Sequence, residues 1–168
     1  MEQHYRLHEM LLEFSHLFRR GEESDRAIAI VGPAYLDSLL SELLINFFID
    51  DRKEVERLIQ PEGPLGTYGS KVSACYCLGF FGETIKADLR AVGKIRNKFA
   101  HDLRAKFSDG QIADWCKSLT WHRESLLREP PAEATTRDLF QVGVNQLVTH
   151  LNGLLSMSRT QKREKART

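Results

Sequence analysis

The sequence predicts an all-α fold, a single-domain helical bundle of about six to seven helices. In successive segments the apolar residues recur every three or four positions, which is the period of an amphipathic helix. No segment shows a convincing alternation of apolar and polar residues, so we expect essentially no sheet. A chain of 168 residues has the size of one domain and can bury a core without disulfides or metal.

The helices of the N-terminal half are delimited by turn and capping residues. We expect a first helix at residues 1–20, and Ser24 or Asp25 caps the next one. This second helix, at about 25–50, is apolar over so much of its surface that it should be central. Gly32-Pro33 inside it predicts a kink or a late start.

Two loops separate the remaining helices. A short helix ends near Ile59, before a loop at 60–69 that is rich in glycine and proline. Pro130-Pro131 marks the second loop. The other expected helices lie at 70–81, 83–101, 111–119 and 136–158. One domain then covers 1–158, and the basic tail 159–168 is expected to be disordered or to touch nucleic acid.

Composition excludes several classes of function. The net charge is +1, so no global field draws the chain to nucleic acid or anionic lipid. The longest apolar run, at 43–49, is far shorter than the roughly 20 residues of a membrane span. An odd number of cysteines without a secretory signal fits a reducing compartment, and we expect a cytoplasmic protein.

No metal or cofactor site is expected. In a helix, Cys75 and Cys77 point about 200° apart and cannot hold one ion together. His4 and His8 share a helix face, but they lack a nearby carboxylate pattern and are better explained as a solvated face. The loop at 63–71 lacks the residue order of a phosphate-binding loop, so its glycines are assigned to a tight turn.

The segment 96–101 carries the most chemistry. On a helix Asn97 and His101 lie about 40° apart, and the long side chain of Arg96 can reach them from the side. A cation, an amide and an imidazole are the parts that metal-free RNA cleavage needs for phosphate binding and proton transfer. The alternative is structural: an Arg and a His near a helix C-terminus satisfy carbonyl groups and the helix dipole.

Two linked motifs resemble the mannitol operon repressor (MltR) family. The first is Glu-Gly-Pro-Leu-Gly-Thr-Tyr-Gly-Ser-Lys at 62–71, followed by Tyr-x-Leu-Gly-Phe at 76–80. The second is Lys-Ile-Arg-Asn-Lys-Phe-Ala-His at 94–101. The resemblance spans about 27–119 and implies an all-helical bacterial cytosolic protein that is a negative regulator of transcription. Members lack a recognisable helix-turn-helix, so it implies action through protein or RNA partners and no direct sequence-specific DNA binding.

The second motif also resembles the R-x4-H motif of the HEPN superfamily. Active members of that superfamily cleave RNA without metal, with the Arg and His of two protomers meeting at a dimer interface. Under that alternative the resemblance makes Arg96, Asn97 and His101 catalytic residues of an endoribonuclease in toxin or phage-defence service. A homodimer is expected under either hypothesis. Candidate nucleic-acid contacts are Lys94, Lys98, Arg159, Lys162 and Arg163.

Overall fold

The computed structural model describes residues 24–120 and 132–166, and these residues form helices and no strands. The helices are α1 (Asp25–Phe47), α2 (Arg52–Ile59), α3 (Tyr68–Cys77), α4 (Glu83–His101), α5 (Gly110–Lys117) and α6 (Thr136–Thr160). The predicted all-α fold is confirmed for these ranges. The helix expected at 1–20 and the loop expected at Pro130-Pro131 lie outside the described residues.

Helix α1 is the central element, as its wide apolar arc predicts. It contacts α3, α4 and α6, and residues such as Leu36, Leu40 and Leu44 are fully buried. The Ser24 hydroxyl caps it by accepting a hydrogen bond from the amide of Ala27, at 3.2 Å. The expected late start at Gly32-Pro33 is wrong, because the helix begins at Asp25 and contains Pro33.

The length and composition of α1 would also allow a membrane span. Much of its apolar surface is instead covered by the other helices, as in the core helix of a bundle. This packing explains the wide apolar arc within a single chain.

Helix α3 starts earlier and ends earlier than the predicted 70–81. Thr67 and Ser70 form a capping box, in which each side chain accepts a hydrogen bond from the backbone of the other, and this starts the helix at Tyr68. At the other end Gly79 has a φ of 80°, a left-handed conformation that favours glycine. The other predicted helices agree with the structure to within about two or three residues, as is usual at helix ends.

The turn around Gly63 and Gly66 closes the C-terminal end of α2. The amide of Leu65 donates to the carbonyl of Leu58 at 2.8 Å, and the amide of Gly63 donates to the carbonyl of Gln60 at 2.7 Å. A Cβ atom on either glycine would collide with backbone carbonyl oxygens of the segment 57–61. The two glycines are therefore required by close backbone approach, as expected for a structural turn.

Helix α3 is fixed to its neighbours by two side chains. Lys71 is 5% exposed, and its ammonium group bonds both carboxylate oxygens of Asp37 on α1, at 2.9 and 2.8 Å. The hydroxyl of Tyr68 donates to the carbonyl of Leu89 on α4, at 3.0 Å. A Cβ atom on Gly93 would lie 2.9 Å from the Tyr68 ring, so this glycine gives the ring room against α4.

The structure describes the basic tail as far as residue 166. Helix α6 continues to Thr160, and the amide of Arg163 donates to the carbonyl of Phe47 at the end of α1, at 2.8 Å. Lys162 lies 3.5 Å from Asp50, and Lys165 lies 3.0 Å from Asp51. Residues 162–165 thus contact the junction between α1 and α2.

Replacing Gly66 by alanine should destabilise the fold, because the new methyl group would displace backbone that closes α2. We expect a loss of more than about 1 kcal/mol in the free energy of unfolding, measured with denaturant. Gly69→Ala is the matched control, since a Cβ atom there meets nothing within 4 Å. It should be neutral or stabilise the helix by up to about 1 kcal/mol. Equal effects of the two changes would contradict this account of the turn.

Removing the carboxylate of Asp37 should cost more stability than removing the charge of Lys71. Asp37→Asn leaves the buried ammonium group without its counter-charge, whereas Lys71→Met replaces it by an apolar chain of similar length. We expect Asp37→Asn to lower the midpoint of thermal unfolding by several degrees more than Lys71→Met. The double variant should resemble Lys71→Met alone, and additive losses would contradict the pairing.

Candidate functional site

The last two turns of α4 separate a buried face from a polar one. Ile95 and Phe99 are fully buried in the core, which fixes the rotation of the helix. Arg96, Asn97 and His101 are all exposed. The predicted motif residues therefore lie on the surface, where a ligand or partner can reach them.

The structure brings two of these three side chains together. The guanidinium group of Arg96 donates from Nη1 to Oδ1 of Asn97, at 3.0 Å. The helix continues through His101, so Asn97 and His101 share a face, about 40° apart. The hydrogen bond to Asn97 therefore places the guanidinium group of Arg96 beside the face that Asn97 and His101 share.

The structural alternative assigns Arg96 to terminal carbonyls and His101 to the helix dipole. The imidazole is exposed in the last turn, and two carbonyls of this helix end are bonded by Arg26 of α1. Arg26 donates from Nη1 to the carbonyl of Phe99, and from Nη2 to the carbonyl of Asp102 at 2.7 Å. Two carbonyls at this helix end therefore need no hydrogen bond from Arg96.

Arg26 belongs to a set of hydrogen bonds that joins four segments: the start of α1, the end of α4, the loop at Phe107 and the start of α6. Beside it, Asp25 accepts hydrogen bonds from Arg137 of α6 at 3.2 Å and from the amide of Phe107 at 3.5 Å. The Thr136 hydroxyl donates to the carbonyl of Phe107 at 2.9 Å. Sequence reasoning missed this set, because its members lie far apart along the chain and no local pattern marks them.

Other cations surround the motif. Lys94 and Lys98, the predicted nucleic-acid contacts on this helix, are exposed, and Nζ of Lys94 lies 6.0 Å from the centre of the Trp115 ring. The carboxylate of Asp88 does not neutralise the charge of these two lysines at the surface. Asp88 is 2% exposed, and its carboxylate accepts hydrogen bonds from the amide of Thr120.

The predicted contacts in the tail are exposed but have contacts of their own. Lys162 pairs with Asp50, and the guanidinium carbon of Arg163 lies 6.0 Å from the centre of the Phe47 ring. Arg159, also a candidate contact, is exposed near the end of α6. In the described part of the chain, the tail cations and the cations around His101 therefore do not form one site.

The sequence predicts Cys75 and Cys77 to be small core residues, which is confirmed for Cys75 and wrong for Cys77. Cys75 is buried, and burial raises the pKa of its thiol to about 12. Cys77 is exposed. Within the described ranges 24–120 and 132–166, no group of three or more His, Cys, Asp or Glu side chains is arranged to hold a metal ion. His4 and His8 lie outside those ranges.

Comparison with known proteins gives the fold. No sequence-family profile matches the chain, and no curated protein matches it in sequence. A solved structure matches the chain in fold. The X-ray structure of the MtlR–HPr complex from Escherichia coli contains a chain that superposes on it with a TM-score of 0.57. The alignment covers 95% of this chain and 99% of that one, at 21% sequence identity. This chain therefore has an MtlR-like helical fold.

Replacing Arg26 by glutamine should loosen the end of α4. Two backbone carbonyls lose a charged donor, so we expect a loss of about 1–3 kcal/mol in the free energy of unfolding. Amide hydrogen exchange of residues 99–107 should also become faster. Arg96→Gln is the matched control, and it should stay within about 0.5 kcal/mol of the wild type. The assignment fails if the two variants exchange equally.

Proposed function

We propose that this chain is a cytoplasmic regulatory protein that acts by binding a partner protein and exerts negative control on transcription in this way. The observation that carries the proposal is the fold likeness to a chain of the MtlR–HPr complex. That protein was solved together with HPr, which is a protein partner. A homologue of HPr is therefore the first partner to test.

The contacts of the linked motifs support the proposal. Tyr68 in the first motif packs over Gly93, just before the second motif, and Lys71 of the first motif anchors α3 to α1. The two motifs that resemble the MltR family are thus connected through contacts within the core. The resemblance and the fold likeness point to the same regulatory group.

The arrangement of the cations supports action through a partner more than direct reading of DNA. A DNA-reading helix places its side chains in the major groove and is flanked by phosphate contacts. In the basic tail, Lys162 and Lys165 are paired with Asp50 and Asp51. A net charge of +1 adds little general attraction for a polyanion.

A binding measurement tests the proposal directly. The purified full-length chain is titrated by calorimetry with HPr from the same bacterium, and we expect saturable binding. An unrelated small protein of similar net charge is the control. A gel-shift assay at physiological salt with DNA upstream of candidate operons should show no sequence-specific complex. Specific DNA binding without HPr binding would contradict the proposal.

The exposed motif favours one second candidate, a metal-independent endoribonuclease. Arg96, Asn97 and His101 are all accessible, and histidine is the side chain most often used for proton transfer in catalysis. This function further requires a homodimer in which two copies of the motif face each other. Such a dimer is part of the proposal and is tested by the mass of the protein in solution.

RNA cleavage in the presence of EDTA separates the two functions. An enzyme of this kind should cleave RNA under these conditions, and His101→Ala should slow cleavage by about 10²–10⁴-fold. Lys53→Ala is the control, because it removes an exposed charge on α2, away from the motif and the helix that carries it. If the wild type leaves RNA intact, or if His101→Ala cleaves as well as the wild type, the ribonuclease function is excluded.

A further inference from the structure

The exposed side of α4 and the turn after it form a continuous basic surface. At about 100° per residue, Arg90, Lys94, Lys98 and His101 fall within an arc of about 80°. Arg104 and Lys106 extend this row beyond the helix, and all these residues are exposed. We call these six residues the α4 basic surface.

Acidic side chains are sparse between residues 89 and 107, although the exposed carboxylate of Asp109 borders the surface at Lys106, whose amide donates to its Oδ2 at 2.9 Å. Asp102 is the single acid in that stretch. It is half-buried, and its Oδ1 accepts a hydrogen bond from the amide of Arg104 at 2.9 Å. Although the whole chain is nearly neutral, its positive charge is concentrated here, where it raises the local concentration of an acidic partner.

An apolar side chain lies within this row of charges. Leu103 is 86% exposed, more than any other exposed large apolar residue of the described ranges. The turn that carries it is rigidly held, because Asp102 bonds Arg26 and Arg104 and also accepts from the amide of Ala105 at 3.3 Å. A preorganised apolar anchor with a polar rim is the usual centre of a protein–protein interface.

We infer that Leu103 and the α4 basic surface are the docking site for the acidic face of a folded protein partner. The inference rests on the proposed function and adds the place and the chemistry of contact. An apolar pocket on the partner receives Leu103, and carboxylates around that pocket face the cations. Charge complementarity sets the orientation and the association rate, and Leu103 slows dissociation.

The residues present favour a protein over single-stranded RNA. RNA-binding surfaces combine cations with aromatic side chains on which bases stack. Between residues 90 and 106 the one Phe, Tyr or Trp is the buried Phe99, and the single half-buried ring of Trp115, 6.0 Å from Nζ of Lys94, is not a row of stacking platforms. An exposed leucine contributes nothing to phosphate binding, whereas it is a suitable anchor for an apolar pocket.

Three labelled probes test the inference on the full-length chain by fluorescence anisotropy at physiological salt. They are an oligoglutamate, the same peptide with a central pair of leucines, and an oligouridylate of equal charge. We expect the leucine-containing peptide to bind most tightly. Lys94→Glu combined with Lys98→Glu should weaken both peptides by about tenfold or more. Leu103→Ser should weaken only the leucine-containing peptide, by about fivefold.

The control carries the same change in net charge elsewhere. Lys53→Glu combined with Lys165→Glu alters α2 and the tail, and should leave all three affinities within about twofold of the wild type. The inference is overturned if the oligouridylate binds most tightly, if the control weakens binding equally, or if Leu103→Ser has no selective effect. Failure of the proposed function is seen separately, as absence of HPr binding to the unmodified chain.

Discussion

The pairing of Lys71 with Asp37 is a constraint on how α3 lies against α1, the central helix. An ammonium group that is 5% exposed is costly unless a carboxylate lies against it. Asp37 meets this need only when α3 lies across the middle of α1. Burial of the Tyr68 ring and its hydrogen bond to Leu89 then set the distance between α3 and α4. Burial raises the pKa of Tyr68, with the charge of Asp37 adding to the effect, so this hydroxyl stays protonated and donates its bond.

From this anchor the position of the candidate site follows. Helix α4 is aligned by α3 near its middle and by Arg26 at its end, so it is held at two points about two to three turns apart. Ile95 and Phe99 between these points pack into the core, which directs the remaining side chains of the last turns to the surface. The site is therefore positioned by groups on α1 and α3, and its own polar residues contribute little to holding it.

The local features of this fold could be predicted from the sequence, but its long-range contacts could not. Apolar periodicity and capping residues such as Ser24 gave the helices, because those signals act within one or two turns. Of the two effects expected at Gly32-Pro33, the late start is wrong, since burial of α1 overrides a helix breaker. Asp37 with Lys71, and Arg26 with Asp102, lie 34 and 76 positions apart. No single-chain pattern reveals such pairs, so the candidate residues were found without the groups that position them.

The two motifs therefore have different physical meanings. Gly63, Gly66 and Lys71 of the first motif serve the fold, because a close backbone approach or a buried ion pair involves each of them. Gly93, which lies just before the second motif, gives the Tyr68 ring room. Arg96, Asn97 and His101 are not demanded in this way, since substitution of exposed residues away from such features usually changes stability by less than about 0.5 kcal/mol. The first motif identifies a fold, and a fold of itself does not specify an activity. The activity of the end of α4 is decided by its surface chemistry. A permanent cation, an amide and an imidazole lie on the last turns of the helix, and an exposed leucine lies in the turn that follows.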